Sequence, residues 1–177
     1  MLELIATPGQ TVGPFFHDAL PYERGNELVP PGTPGALRLH GVVYDGAGAP
    51  IPDALIEIRQ ADSDGTVPMV EGSIVRDGGF TGWGRAGTDS SGGYWFTTVE
   101  PPRFFSVVVF ARGLLNRLFT RAYVPGADSD ALLARLSPAE RETLFAVREA
   151  DGSLRFDLHL QGDRETVFVS FPGHGDR

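Results

Sequence analysis

From Leu37 to Tyr44 the chain alternates, with Leu37, Leu39, Gly41 and Val43 on one side and Arg38, His40, Val42 and Tyr44 on the other. A period of two is that of a strand with one buried face. Asp45 to Pro52 breaks the pattern: Gly46 and Gly48 accept positive φ, while Pro50 and Pro52 fix φ and withhold N–H donors. Alternation then resumes, with Ala54, Ile56 and Ile58 facing one way and Leu55, Glu57 and Arg59 the other. Asp62, Ser63, Asp64 and Gly65 turn the chain again. The pair reads as a hairpin with a continuous apolar face, and commits the chain to a sheet architecture.

The remaining elements agree with that reading. Trp83–Thr88, the turn cluster Asp89–Gly93 and Tyr94–Val99 read as a second hairpin. Phe104–Ala111 is a continuous apolar run of strand length, which predicts a central buried strand, with another from Leu118 to Val124. Ser137-Pro138-Ala139-Glu140 has capping-box spacing with proline at the first helical position, so a helix starts there, after a shorter one within Asp130–Leu136. Phe145–Glu149 and Leu154–Leu160 form a hairpin around Asp151-Gly152, and Thr166–Phe171 is expected as the last strand. Eight or nine short strands predict an all-β protein, a β-sandwich with a short helical excursion. Residues 1–35, rich in Pro and Gly, read as an extended N-terminal arm, and 36–177 as one domain. In the arm, Phe15 and Phe16 after Thr11-Val12-Gly13-Pro14 either anchor it to its own domain or let it line a neighbour's pocket.

Chemistry is narrowed mainly by exclusion. The chain has no cysteine, which removes disulfides, thiolate metal sites and a thiol nucleophile. A formal charge of −8 argues against a general nucleic-acid or anionic-membrane binder. The first residues lack a signal-peptide pattern and no apolar run has the length of a membrane span, so a soluble, cytoplasmic protein is expected. His17, His40, His159 and His174 have no metal-ligand spacing, and His40 and His159 read as solvated surface residues. No Gly-x-Ser-x-Gly elbow or phosphate loop occurs. One basic cluster remains, Arg112, Arg117 and Arg121. At the end of a buried strand, Arg112 either presents a guanidinium fork to a carboxylate or joins a surface ion pair.

Together the stretches TPGQTVGPFF, GVVYDGAGAPIPDALIEIRQADSDG, FTGWGRAGTDSSGGYWFTTVEPP, VFARGLLNRLFTRAYV, ERETLFAVR and RFDLHLQGDRETVFVSF resemble the intradiol ring-cleavage dioxygenases, in the family's order and over nearly the whole chain. The resemblance implies the family's transthyretin-like β-sandwich. It also implies an iron(III) site made of two tyrosines and two histidines, whose positions fall here at about Val67, the Pro101–Arg103 segment, Phe104 and Ser106. None of these side chains ligates iron. The implied role is that of the alpha, non-iron-binding chain of a two-chain enzyme, with Fe(III) held by the beta chain in a higher-order assembly of alpha–beta units.

The reaction implied is cleavage of 3,4-dihydroxybenzoate by O₂ between its hydroxyl-bearing carbons to 3-carboxy-cis,cis-muconate, in the β-ketoadipate route of aromatic catabolism. No catalytic residue is expected in this chain. The resemblance makes Thr11, Gly13, Pro14 and Arg112 its substrate-binding contributors. Arg59 stands where the family usually has tryptophan. The competing reading is a free-standing transthyretin-like binding or scaffold module, with its arm folded on its own sheet.

Overall fold

Alternating apolar side chains give each strand one face to bury, and two sheets bury theirs against each other. In the computed structural model, residues 7–13, 15–68 and 79–171 are described. Pro14 and His174 lie outside these residues, as does part of the glycine-rich connection before Trp83. The strands are β1 (Ala36–Tyr44), β2 (Leu55–Arg59), β3 (Trp83–Gly87), β4 (Gly93–Val99), β5 (Phe104–Phe110), β6 (Leu118–Tyr123), β7 (Val147–Arg148), β8 (Leu154–Arg155) and β9 (Leu158–His159). One sheet runs β4-β1-β8-β7 with β9 also on β1, and the other runs β3-β2-β5-β6.

The first expected hairpin is not one. β1 pairs antiparallel with β4 and parallel with β8 and β9, whereas β2 pairs with β3 and β5. Residues 37–61 therefore form an arch that crosses from one sheet to the other. The second expected hairpin is likewise an arch, since β3 and β4 lie in different sheets. Alternation says which face of a strand is buried, and both limbs of each arch bury theirs in the same core. It says nothing about the hydrogen-bonding partner.

Leu39, Val43, Phe96, Leu154 and Leu158 meet Ile56, Ile58, Phe105, Val107 and Val109 across the sandwich, all at most 2% exposed. Burying each of the larger side chains contributes roughly 1.5–3 kcal/mol. Gly41 is needed at the centre: a Cβ there would stand 1.9 Å from the Phe156 carbonyl oxygen. That oxygen accepts a 2.5 Å hydrogen bond from the Tyr94 hydroxyl, and burial pushes the Tyr94 phenol well above its ordinary range. β5 is central as expected, between β2 and β6, but only alternate residues are buried because its other side forms the sheet's outer face.

The capping box at Ser137 forms, with the Ser137 N–H donating to Glu140 Oε2 at 2.8 Å, and starts α2 (Pro138–Glu142). Ahead of it, a 3-10 turn at Leu133–Arg135 begins under Asp130, whose carboxylate accepts the Leu132 and Leu133 N–H groups. The hairpin around Asp151-Gly152 is present as β7 and β8. Thr166–Phe171 does not form the expected strand; only Val169 bridges to Phe119. Among the described residues no helix is long and apolar enough to cross a membrane.

The arm lies across the outer face of the second sheet. Its helix α1 (Phe16–Ala19) sets the Phe16 ring 5.4 Å from that of Phe110. The His17 carbonyl and the Pro21 ring cover Gly87, and the Leu20 carbonyl accepts from Arg85 Nη1 at 3.1 Å. Leu55, expected to point outward, does so and is nevertheless 0% exposed. It lies beside Gly87 and Phe110 in the sheet, and the arm covers that end. Further along, Leu28 enters the core itself at 1% exposed.

Candidate functional site

The outer face of the β3-β2-β5-β6 sheet has two ends, and the sequence-predicted residues divide between them. At the C-terminal end of β5 the chain turns through Gly113, whose φ of +95° suits glycine. The Gly113 N–H donates to Thr11 Oγ1 at 2.6 Å, tying the arm to the residue after Arg112. Gly13 is exposed, and a Cβ on it would meet nothing among the described residues within 4 Å. Internal packing therefore does not demand glycine at this position. Phe15 projects from the same end at 78% exposure. A cleft of about 190 Å³ separates Gln10 and Val12 from Phe110, Leu114 and Leu115.

Arg112 is 61% exposed and its Nε stands 3.3 Å from Oδ2 of Asp53, which is 10% exposed. Sequence reasoning missed Asp53, yet the pairing register explains it. Leu55 faces Phe110, and two residues further along the antiparallel pair Asp53 comes opposite Arg112. Exposed ion pairs of this kind contribute about 0–1 kcal/mol, so Arg112 gives up little by turning to another carboxylate. Arg121 is not part of this end and pairs with Asp130 at 2.8 Å, whereas Arg117 lines the same cleft, with its guanidinium over the Phe119 ring.

At the N-terminal end of β5, Val67, Pro101, Phe104 and Ser106 all line one cavity of about 570 Å³. Valine, proline and phenylalanine side chains carry no donor atom, and Ser106 alone offers a hydroxyl. These residues do not fit a ferric ion, which takes several oxygen and nitrogen ligands. Among the described residues no group of three or more His, Asp or Glu side chains could hold a metal. Arg59, in place of the family's tryptophan, donates from Nη2 to the Pro68 carbonyl at 3.1 Å and ties down the loop that borders the cavity. That loop is shaped by Asp62, whose Oδ1 accepts the Asp64 and Thr66 N–H groups. Gln60, 3% exposed, spends its amide internally on Ala61, Val99 and Thr98.

Behind the cavity, Asp130 accepts from the Tyr123 hydroxyl and from Arg121, both at 2.8 Å, and the Arg121 guanidinium lies 4.3 Å over the Phe104 ring. Burial alone would push the Asp130 carboxyl up. The Leu133 and Leu132 amides, the Tyr123 hydroxyl and the Arg121 charge together hold it below its ordinary value. The sequence placed His40 and His159 on free surface, and the structure corrects this. His40 Nε2 is 2.9 Å from Glu149 Oε2, and His159 stacks on Tyr44 at 4.9 Å, where burial and then Arg164 lower its basicity. Ser153 also approaches His40 Nε2, at 3.4 Å. One ring nitrogen facing both serine and carboxylate is not a relay, which needs the two nitrogens separately engaged.

The two ends of this face are separated by the length of β5, six residue steps or about 20 Å. Comparison with known proteins agrees with the architecture. The Dioxygenase family model matches residues 11–134. The chain is 36% identical to the protocatechuate 3,4-dioxygenase alpha chain of Burkholderia cepacia over 95% of this chain and 98% of that relative. It is 30% identical to the beta chain from the same organism over 71% of this chain and 57% of that one. The dioxygenase domain of a dioxygenase–carbohydrate-binding fusion from Streptomyces sp. SirexAA-E superimposes with a TM-score of 0.61 at 29% identity, covering 88% of this chain and 98% of that domain. The chain belongs to the intradiol ring-cleavage dioxygenase family, and it matches an alpha chain of that family over nearly the whole length of both.

Proposed function

We propose that the chain is the alpha-type subunit of a protocatechuate 3,4-dioxygenase, holding no iron itself and completing a substrate pocket in a beta-type partner. The observation that carries this reading is the distance between the two ends of the sheet's outer face. Thr11, Gly13 and Arg112 gather at one end, about 20 Å from the chain's own cavity at the other. That separation supports a role for the patch outside this chain's own cavity.

In this role Arg112 offers its guanidinium to the carboxylate of 3,4-dihydroxybenzoate, with Asp53 holding it ready. Gly13 lets another chain's pocket or a substrate ring approach the backbone, and Thr11 fixes the arm against Gly113. Pro14, outside the described residues, is assigned an apolar wall by family resemblance. The chain positions the substrate and excludes water. The reaction completed is cleavage of the ring between its hydroxyl-bearing carbons by O₂, giving 3-carboxy-cis,cis-muconate in the β-ketoadipate route. The partner holds the iron, and the alpha–beta units assemble further in the cytoplasm.

One observation favours the second reading, a free-standing transthyretin-like module: the arm packs on its own sheet through Phe16. Co-expression with a beta-type chain separates the two. Ring cleavage, bound iron and its visible colour only in the co-purified pair support the subunit reading. A folded chain that associates with no beta-type partner supports the module.

A further inference from the structure

We infer that the cavity at the N-terminal end of β5 is itself a binding site, for a small carboxylate with an apolar body, held without metal. The chain is acidic overall, with a formal charge of −8. Yet the cavity is lined by two arginines, Arg59 and Arg103, and by no aspartate or glutamate among the described residues. Arg59 is committed to the loop through Pro68. Arg103 is exposed, and its side chain makes no hydrogen bond or ion pair among the described residues. Its guanidinium is the available anchor for an anion at the cavity edge, and its planar fork matches a carboxylate.

The rest of the wall selects the body of the ligand. Val67, Pro101, Pro102 and Phe104 present apolar surface, and Gln60 offers no free amide because its hydrogen bonds are internal. Ser106 brings a hydroxyl with no hydrogen-bond partner among the described residues. At about 570 Å³ the cavity lies within the roughly 300–1,000 Å³ range of small-molecule sites. An apolar wall with one cation at its rim disfavours a fully hydrated anion such as inorganic phosphate and favours a carboxylate that buries a ring or branched chain.

This site is tested by calorimetric titration of the full chain alone, in chelator-treated buffer, with benzoate, benzyl alcohol and inorganic phosphate. The absence of a partner chain makes the result independent of the function proposed above. Benzoate is expected to bind saturably, one per chain, and benzyl alcohol and phosphate about tenfold or more weaker. Arg103→Gln, an exposed change, should weaken benzoate about tenfold and leave benzyl alcohol unaffected. Val67→Trp, which fills the cavity from its loop, should abolish binding of both. Equal benzoate affinity in wild type and Arg103→Gln, phosphate bound as tightly as benzoate, or no saturable binding would each overturn the inference. If the chain is recovered only with a partner, the same pair is compared in the complex. There Arg103→Gln should weaken one benzoate site per chain about tenfold, and unchanged affinity at every site overturns the inference.

Discussion

Two ends of one sheet face, built on the same strand, have taken opposite courses. At the C-terminal end of β5 the arm covers Leu55, Gly87 and Phe110, and leaves Gly13, Phe15 and Arg112 outside. At the N-terminal end Phe104 and Ser106 face an open cavity backed by the Asp130–Arg121–Tyr123 network. One end is closed over by its own chain yet presents charge and backbone outward. The other keeps an open cavity whose lining, among the described residues, has no group of side chains suited to a metal. A cavity comes from strand register and loop path, whereas its chemistry comes from a few replaceable side chains.

Breaking the network at the cavity end should have the largest effect. Asp130→Ala leaves Arg121 and the Tyr123 hydroxyl without their carboxylate and removes the cap of the following turn; a loss of about 3 kcal/mol is expected from urea unfolding. The same group sets an acid limit. Because its folded pKa lies below the usual 3.8, its stabilisation is complete above that value and is lost as pH falls through the folded pKa. His159, depressed below 6.5, adds a loss that begins earlier, as the unfolded chain takes up its proton first. Urea midpoints should therefore decline in two stages, below about pH 6.5 and again below about pH 4. Asp130→Asn should flatten the second stage; an unchanged profile contradicts this account.

At the arm end, Phe16→Ala removes the ring against Phe110, and about 2 kcal/mol of stability should go with it. If the arm were held mainly by a partner, the isolated chain would barely register the change. Arg112→Ala should cost the isolated chain almost nothing in stability, given its exposed pair with Asp53. In the assembled enzyme it should raise KM for 3,4-dihydroxybenzoate about tenfold and leave that for uncharged catechol unchanged, a difference of about 1.4 kcal/mol. An equal rise for both substrates removes the carboxylate contact. The smallest effect is expected of Thr11→Val, which deletes the acceptor of the Gly113 N–H and should loosen the arm by about 1 kcal/mol or less, read as faster amide exchange at Gly113.

Much of this was legible in the residues. The alternation of β1 and of β2 marked their buried faces, the capping box at Ser137 located α2, and Asp151-Gly152 announced the β7–β8 turn. Motifs carried the family, and Val67, Pro101, Phe104 and Ser106, scattered over 40 residues of sequence, line one cavity. Asp53 was not seen as the partner of Arg112, because nothing local links residues so far apart until β2 is set beside β5.

By itself the sequence determined which faces are buried, where turns fall, which chemistries are excluded and which family the chain resembles, since all of these follow from local pattern or from motif. Only the tertiary structure decided that the two expected hairpins are arches between sheets, that the arm buries Leu55, and that Arg112 and the cavity beside Phe104 stand at opposite ends of one strand. Pairing and distance are relations between residues remote in the chain. They are selected by packing of the whole core, which no single segment encodes.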